Sequence, residues 1–308
     1  MGWRRRYAHA SGLARGHRGV RGPHPLSGRL LGQHVALLRS AGADVDALAR
    51  IEEWARRSLV VPAGTKVVDA HVHLGVDRDG HALFAGDLIA DMDANGIHRA
   101  VVFPADEPGP DGDFRESNGR VIEAAAVHPE RLIPFCRVDP AVGAAAALGE
   151  ARSGGARGLK LHPVAQRFAP EGENCVAVVR QATDLGWPVL FHAGFGARAL
   201  GPAFAGLLAQ VPDARLILAH GGRGDHRALA AVAAAYPEVV FDTSIAALPD
   251  LATLAPERIL FGTDRPYGDY AQALHLVGAA ARVAGWDATA MHGVMGANLL
   301  RLLGEGAL

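Results

Sequence analysis

The sequence predicts an α/β fold, a (β/α)8 TIM barrel preceded by an N-terminal helical extension. Three observations predict it. From Lys66 onward, a short apolar run, a helical stretch and a turn follow one another, and the unit repeats eight times. Several of the apolar runs end in a histidine or an aspartate, as they should if strands deliver polar side chains to one rim. After the first run comes "HVHLGVDRDG", which is not the Gly-rich phosphate loop that the competing doubly wound sheet would want.

The elements can be justified in order. Residues 1–28 are rich in Arg, Gly and His without an apolar period, so they cannot bury enough surface to fold alone and are expected to form a disordered tail. Their adjacent arginines precede no hydrophobic segment, which argues against an export signal. Residues 29–62 space their apolar side chains helically, with a break at Ala41–Gly42, and predict two short helices packed on the main body. Residues 63–308 form the barrel. Its strands are expected at Val67–His71, Ala100–Phe103, Leu132–Val138, Gly158–His162, Pro188–His192, Arg215–His220, Val239–Thr243 and Ile259–Asp264. Between them, "LFAGDLIADMDANG", "SNGRVIEAAAVHPE", "NCVAVVRQATDLG" and "DHRALAAVAAAYPE" read as helices closed by Gly or by a nearby Pro.

Composition narrows the function. With 49% apolar and 20% charged residues, a large core can form. A formal net charge of −1 gives no global affinity for nucleic acid or an anionic membrane. Two distant cysteines, Cys136 and Cys175, make no disulfide framework, so a reducing cytoplasm is the expected location. No apolar run is long enough to span a bilayer. The expected partner is a small-molecule substrate, and a homo-oligomer is compatible with all of this.

The strand ends carry the chemistry. His71 and His73 stand at i and i+2, so in a strand they project side by side while Val72 points the other way. By the same alternation Lys160 and His162 share a face. The fifth strand ends in His192, the sixth in His220 and the eighth in Asp264. One buried histidine is usually an ordinary core residue. Metal-type ligands on four strand ends of one rim are hard to explain by structure alone.

The stretches "DAHVH", "GLKLHP", "FHAG", "AHGG", "FGTDRP" and "GANLLRLLG", in this order over residues 66–304, resemble the amidohydrolase superfamily, and within it the amidohydrolase-related branch of metal-dependent hydrolases and decarboxylases. The resemblance implies that His71, His73, His192 and Asp264 hold a divalent metal, with zinc the expected ion, and that His220 lies beside the metal-bound water. Neutral imidazole and carboxylate suit zinc, and such an ion brings its water to a pKa of about 7. Asp264 could take up that water's proton and pass it to the leaving group. His220 could polarise a carbonyl or orient the water, and Gly221–Gly222 could let substrate approach the backbone. In binuclear relatives a lysine on strand four bridges two ions as a carbamate, and His192 and His220 then serve the second. Lys160 keeps that version open, although one ion is favoured.

Substrate contacts are expected from His162, Arg137, Arg223 and Arg265, since a guanidinium grips a carboxylate with two hydrogen bonds. Relatives often carry an aromatic residue where this chain has Arg265, so no known substrate transfers directly. The leading function is metal-dependent hydrolysis of a carboxylic ester, lactone or amide, with activated water as the nucleophile. The alternative is non-oxidative decarboxylation of a small unsaturated or aromatic acid in the same site. A barrel that has lost activity is disfavoured by the intact ligand set.

Overall fold

The computed structural model describes Gly42 and residues 61–305, except 110–111, 195 and 198. The chain divides into two compact units, Met1–Ile51 and Glu52–Leu308. The expected tail over 1–28 and nearly all of the expected helices over 29–62 lie outside the described residues. Gly42, at the anticipated break, sits in a turn with φ 79°.

Ten strands are described: β1 (Val68–Val76), β2 (Ala82–Leu83), β3 (Arg99–Pro104), β4 (Leu132–Pro134), β5 (Cys136–Arg137), β6 (Leu159–Leu161), β7 (Val189–Phe191), β8 (Leu216–Leu218), β9 (Val239–Asp242) and β10 (Ile259–Leu260). They form two sheets, ordered β2-β1-β3-β4 and β10-β9-β8-β7-β6-β5. Every pairing is parallel except the β1–β2 hairpin, which the sequence did not announce. The helices are α1 (Ala85–Asn95), α2 (Arg115–Val127), α3 (Ala144–Ser153), α4 (Pro163–Gln166), α5 (Glu173–Asp184), α6 (Leu200–Gln210), α7 (His226–Ala235), α8 (Leu248–Leu251), α9 (Tyr270–Ala284), α10 (Ala288–His292) and α11 (Asn298–Leu302). As the sequence anticipates, α1 stops at Gly96, whose φ of 69° is a left-handed cap.

Four expected strands differ in detail. The run Val67–His71 belongs to a longer strand that continues to Val76, so His71 and His73 lie within β1 and not at its end. The run Leu132–Val138 is two strands, because the backbone changes partner at Phe135: Phe135 N donates to Val102 O on one side and Cys136 N to Gly158 O on the other. The run Arg215–His220 ends at Leu218, after which Ala219–Gly222 is a tight turn. The run Ile259–Asp264 is regular only over its first two residues. Its continuation bonds to β1 instead, through Ala70 N to Phe261 O, Asp264 N to His71 O and His73 N to Arg265 O, at 2.8–2.9 Å.

The strands bury both faces, as parallel strands covered by helices must. One cluster joins outward residues such as Leu159, Leu161, Val189 and Phe191 to the helices. A second joins the alternate positions Val101, Phe103, Ile133, Leu190, Ile217, Val240 and Leu260, together with Leu299, Leu300 and Leu302 around α11. Lys160, between Leu159 and Leu161, therefore points to the inner face. No helix among the described residues is long and apolar enough to cross a membrane.

Candidate active site

The site starts with an irregularity in β1. Asp69 pairs with Ala100 of β3 but Val72 with Val102, so β1 carries one extra residue between them. Val68 and Ala70 pack in the inner cluster, whereas Val72 and Leu74 pack in the outer one. The bulge reverses the phase of the strand and turns His71 and His73 inward with Ala70. Re-aiming side chains beside a site is a recurrent use of bulges.

Asp264 meets the two histidines from the far end of the chain. Its Oδ1 lies 3.0 Å from His71 Nε2 and 3.1 Å from His73 Nε2, and the two Nε2 atoms are 3.3 Å apart. These three buried residues form a group that could hold a metal ion. The chemistry of the donors fits one. Asp242 Oδ2 sits 2.7 Å from His71 Nδ1, and an ionised carboxylate only accepts, so that nitrogen carries the proton. A neutral His71 then turns a lone pair toward the Asp264 oxygen, and these two acceptors come together around either a proton on Nε2 or a metal ion in its place.

Electrostatics follow from this crowding. Burial works against the charge on Asp264, but the charge on His71 and hydrogen bonds from His71 and His73 hold its carboxyl well below the usual range. Burial and Lys160 pull His71 down, yet Asp242 and Asp264 outweigh them and raise it. Burial lowers His73 to about 3. Lys160 lies with Nζ 3.3 Å from His71 Nε2 and 4.8 Å over the Phe103 ring, and burial lowers its ammonium to about 7.

His220 occupies the other side. It has φ 62°, and Asp264 has φ 63°, left-handed conformations that cost a non-glycine residue and cluster at functional sites. A Cβ on Gly194 would come within 2.6 Å of His220 Cδ2, so glycine there makes room for the ring. His220 Nε2 is 3.1 Å from His192 Nδ1, and the His192 ring stacks on His162 at 3.9 Å. His192, expected beside His71 and His73, thus faces His220 and His162 and stands outside the three-residue group. β7 ends at Phe191, one residue before it, so strand alternation no longer decides its direction.

A cavity of about 280 Å³ opens here, lined by His73, Lys160, His162, His192, His220 and Asp264, and also by Arg137, Asp106, Arg78, Asp77 and Tyr267. Arg137 is fully buried. Its Nη2 donates to Asp106 Oδ1 at 3.0 Å and the guanidinium lies 4.6 Å over Phe114, but Nε and Nη1 have no hydrogen-bond partner. Burial lowers it to about 10, which leaves it a cation at neutral pH. The Tyr267 hydroxyl donates to Asp77 Oδ2 at 2.6 Å, tying the segment after β10 to the β1–β2 turn.

Two arginines expected at the substrate do not line this cavity. Arg265 pairs with Asp91 of α1, and the exposed Arg223 donates to Ile245 O at 3.2 Å. Arg265 directly follows Asp264 and Arg223 stands three residues after His220, but the left-handed backbone at His220 and Asp264 redirects the chain. Gly221 and Gly222 are buried with φ 61° and 68°, and Cβ atoms there would meet Ala246, Leu229 and Phe241 at 3.0 Å. Their role is to make the turn and pack, not to admit substrate to the backbone. His162 does line the cavity, with Nδ1 accepting from Ala165 N to cap α4.

Sequence reasoning passed over Asp69, Asp242 and Ser244. Asp69 is held by Thr263 N and Oγ1 and by His71 N, and burial raises it to about 7. In the sequence Asp242 closes an apolar run much as Asp264 does, which was the available signal.

The comparisons bear on the family and the fold. A family model described as Amidohydrolase matches residues 68–304. No curated protein matches. Among solved structures, an amidohydrolase from Burkholderia multivorans with bound zinc is similar at 17% identity and a TM-score of 0.62, covering 78% of this chain and 99% of its own. A 5-carboxyvanillate decarboxylase from Novosphingobium aromaticivorans, complexed with manganese, is similar at 17% identity and a TM-score of 0.60, covering 80% and 98%. A TIM-barrel protein from Bordetella bronchiseptica is similar at 17% identity and a TM-score of 0.59, covering 78% and 98%.

Proposed function

Because the chain belongs to the amidohydrolase family, we propose that it is a metal-dependent hydrolase cleaving a carboxylic ester, lactone or amide of a small substrate. We further propose that its eight parallel runs close as a (β/α)8 barrel, a reading supported by the backbone hydrogen bonds from β1 to residues 261–265. The observation that carries the function is the convergence of His71, His73 and Asp264 beside a small cavity.

His71, His73 and Asp264 would hold a divalent ion, with His192 the fourth candidate and zinc the ion best matched to the donors. When bound, the ion supplies Lewis acidity toward an oxygen of the substrate and acidifies a water. Asp264, held as a carboxylate, accepts the proton of the attacking water and returns it to the leaving group. His220 orients the water or the substrate carbonyl. Arg137 offers two unpartnered donors to a carboxylate on the substrate, and His162 adds a contact on the same lining. A single ion is the expected stoichiometry, with Lys160 acting as a cation toward the substrate.

Arg137, a cation at neutral pH, and Lys160, a cation below about pH 7, are register partners on β5 and β6 and also favour a second reading, decarboxylation of a small acid. Elemental analysis after reconstitution tests the metal, and a substrate screen that reads acid release against carbon dioxide release separates the two reactions. A protein that takes up no ion and whose activity ignores metal would sink both. Counting ions on Lys160→Ala and His220→Asn tests the stoichiometry, because each costs one ion per chain only in a two-ion site.

A further inference from the structure

Behind the candidate ligands lies a hydrogen-bonded group that the proposed chemistry does not use. Asp242, fully buried at the end of β9, places Oδ2 2.7 Å from His71 Nδ1. Its Oδ1 accepts from His220 N and Ser244 N, both at 3.0 Å, and from the Ser244 hydroxyl. His220 Nδ1 in turn lies 3.0 Å from Ser244 O.

The protons in this group can be assigned. The Asp242 carboxylate is surrounded by donors, so it is ionised and can only accept, and His71 Nδ1 must carry a proton. Asp264 Oδ1, 3.0 Å from Nε2, makes the same demand on the charged ring, but a neutral ring has one proton, which the shorter contact to Asp242, at 2.7 Å, keeps, while Lys160 Nζ, 3.3 Å from Nε2, can donate to the freed lone pair. A carbonyl oxygen likewise only accepts, so His220 Nδ1 must carry a proton too. Each ring, when neutral, is left with a lone pair on Nε2. For His71 that atom is the one beside His73 and Asp264. For His220 it is the one that meets His192, whose Nδ1 must then donate. The same carboxylate also holds the backbone of His220 in its left-handed turn.

We infer that Asp242 and Ser244 are positioning residues that set the tautomers of His71 and His220 together, so that both imidazoles keep an unprotonated Nε2 at the site. One buried carboxylate thereby couples a candidate ligand on β1 to the histidine after β8. Asparagine cannot replace it, because an amide has one acceptor and one donor where this position needs two acceptors. The effect on metal affinity rests on the metal-site reading, whereas the tautomers do not.

The test uses the full chain with nitrogen-labelled histidine. In the metal-free wild type at alkaline pH, where both rings are neutral, long-range proton–nitrogen correlations should show His71 and His220 protonated on Nδ1. An Nε2–H tautomer at either ring overturns the inference. Zn2+ alone, titrated against a chromophoric chelator, should bind Asp242→Asn about 10- to 100-fold more weakly than wild type, the usual cost of losing a partner of a metal-ligating histidine. His71 should lose its Nδ1–H signature in the same variant. Ser244→Ala keeps the Asp242 carboxylate and the residue 244 carbonyl, so both tautomers should persist with a smaller loss of affinity. Unchanged Zn2+ affinity in a folded Asp242→Asn protein rejects the positioning role. If wild type binds no Zn2+, the metal reading falls while the tautomer measurement still decides this one, and the wild-type spectra also decide it should Asp242→Asn fail to fold.

Discussion

The two ends of the parallel strands treat charge in opposite ways. Where the strands begin, Glu305 lies between Arg99 at the start of β3 and Arg157 ahead of β6, while Arg215 ahead of β8 donates to Leu302 O. The leucines around α11 close the inner cluster at this end, and each of these charges is answered from within the chain. Where the strands finish, two imidazoles and a carboxylate crowd one another, two nitrogens of Arg137 stay unpartnered, and His220 and Asp264 hold left-handed backbone. The first end is arranged for stability. The second carries strain and unanswered donors, which fits an end shaped for a ligand the chain does not itself provide.

The comparison can be broken at either end. The largest effect is expected from Asp264→Asn, which keeps the side chain's shape and removes the base. Turnover should fall roughly 100- to 10,000-fold, measured by steady-state rates on metal-loaded protein whose melting temperature is close to that of wild type. Wild-type turnover in this variant would remove Asp264 from the chemistry.

Metal affinity should follow pH next. The neighbouring carboxylates raise His71 in the metal-free protein, so below that raised value a proton occupies the place the ion needs. Affinity should therefore drop about tenfold per pH unit as the solution is acidified through it, one proton being released per ion bound. For stability the sign is opposite. The contribution of charged His71 to the metal-free fold is complete below the ordinary histidine range and is lost as pH rises through the raised value. Chelator competition at several pH values checks the first statement, and melting of the metal-free protein checks the second.

Arg137→Gln sharpens the contrast further. If a substrate carboxylate occupies the unpartnered donors, KM should rise roughly 10- to 100-fold, the worth of a hydrogen bond to a charged group, with little change in kcat. An unchanged KM for every active substrate would place the anion elsewhere. At the opposite end, Glu305→Gln should leave turnover untouched and cost about 1 kcal/mol or less, since its pairs are partly exposed and screened by salt. Its carboxyl is held low by Arg99 and Arg157 against the cost of burial, so this contribution is present above the usual glutamate range and fades as acid protonates it. Denaturant melts at two salt concentrations would read it.

How much was legible depends on the range of the cause. The alternation of apolar runs with amphipathic stretches is local, and it placed the parallel strands and the helices between them, although His71 and His73 fall within β1 and Asp264 four residues past β10 rather than at strand ends. The spacing of His71 and His73 already made them neighbours, because the period of an extended chain is two. Which face they take was not legible. It depends on one extra residue in β1, and that irregularity exists only in the pairing with β3.

The remainder was decided by contacts distant in sequence. Asp242 lies 171 residues from His71, so nothing in either local pattern marks them as partners. Arg265 looked available until its pairing with Asp91, 174 positions away, took it from the cavity. His192 lies just past the end of its strand, where neighbouring rings set its direction. Period and composition determined which residues reach the rim, since they act through the backbone geometry of a few neighbours. Only the folded chain decided which way those residues face and which proton each ring carries, because both depend on donors and acceptors brought together from opposite ends of the sequence.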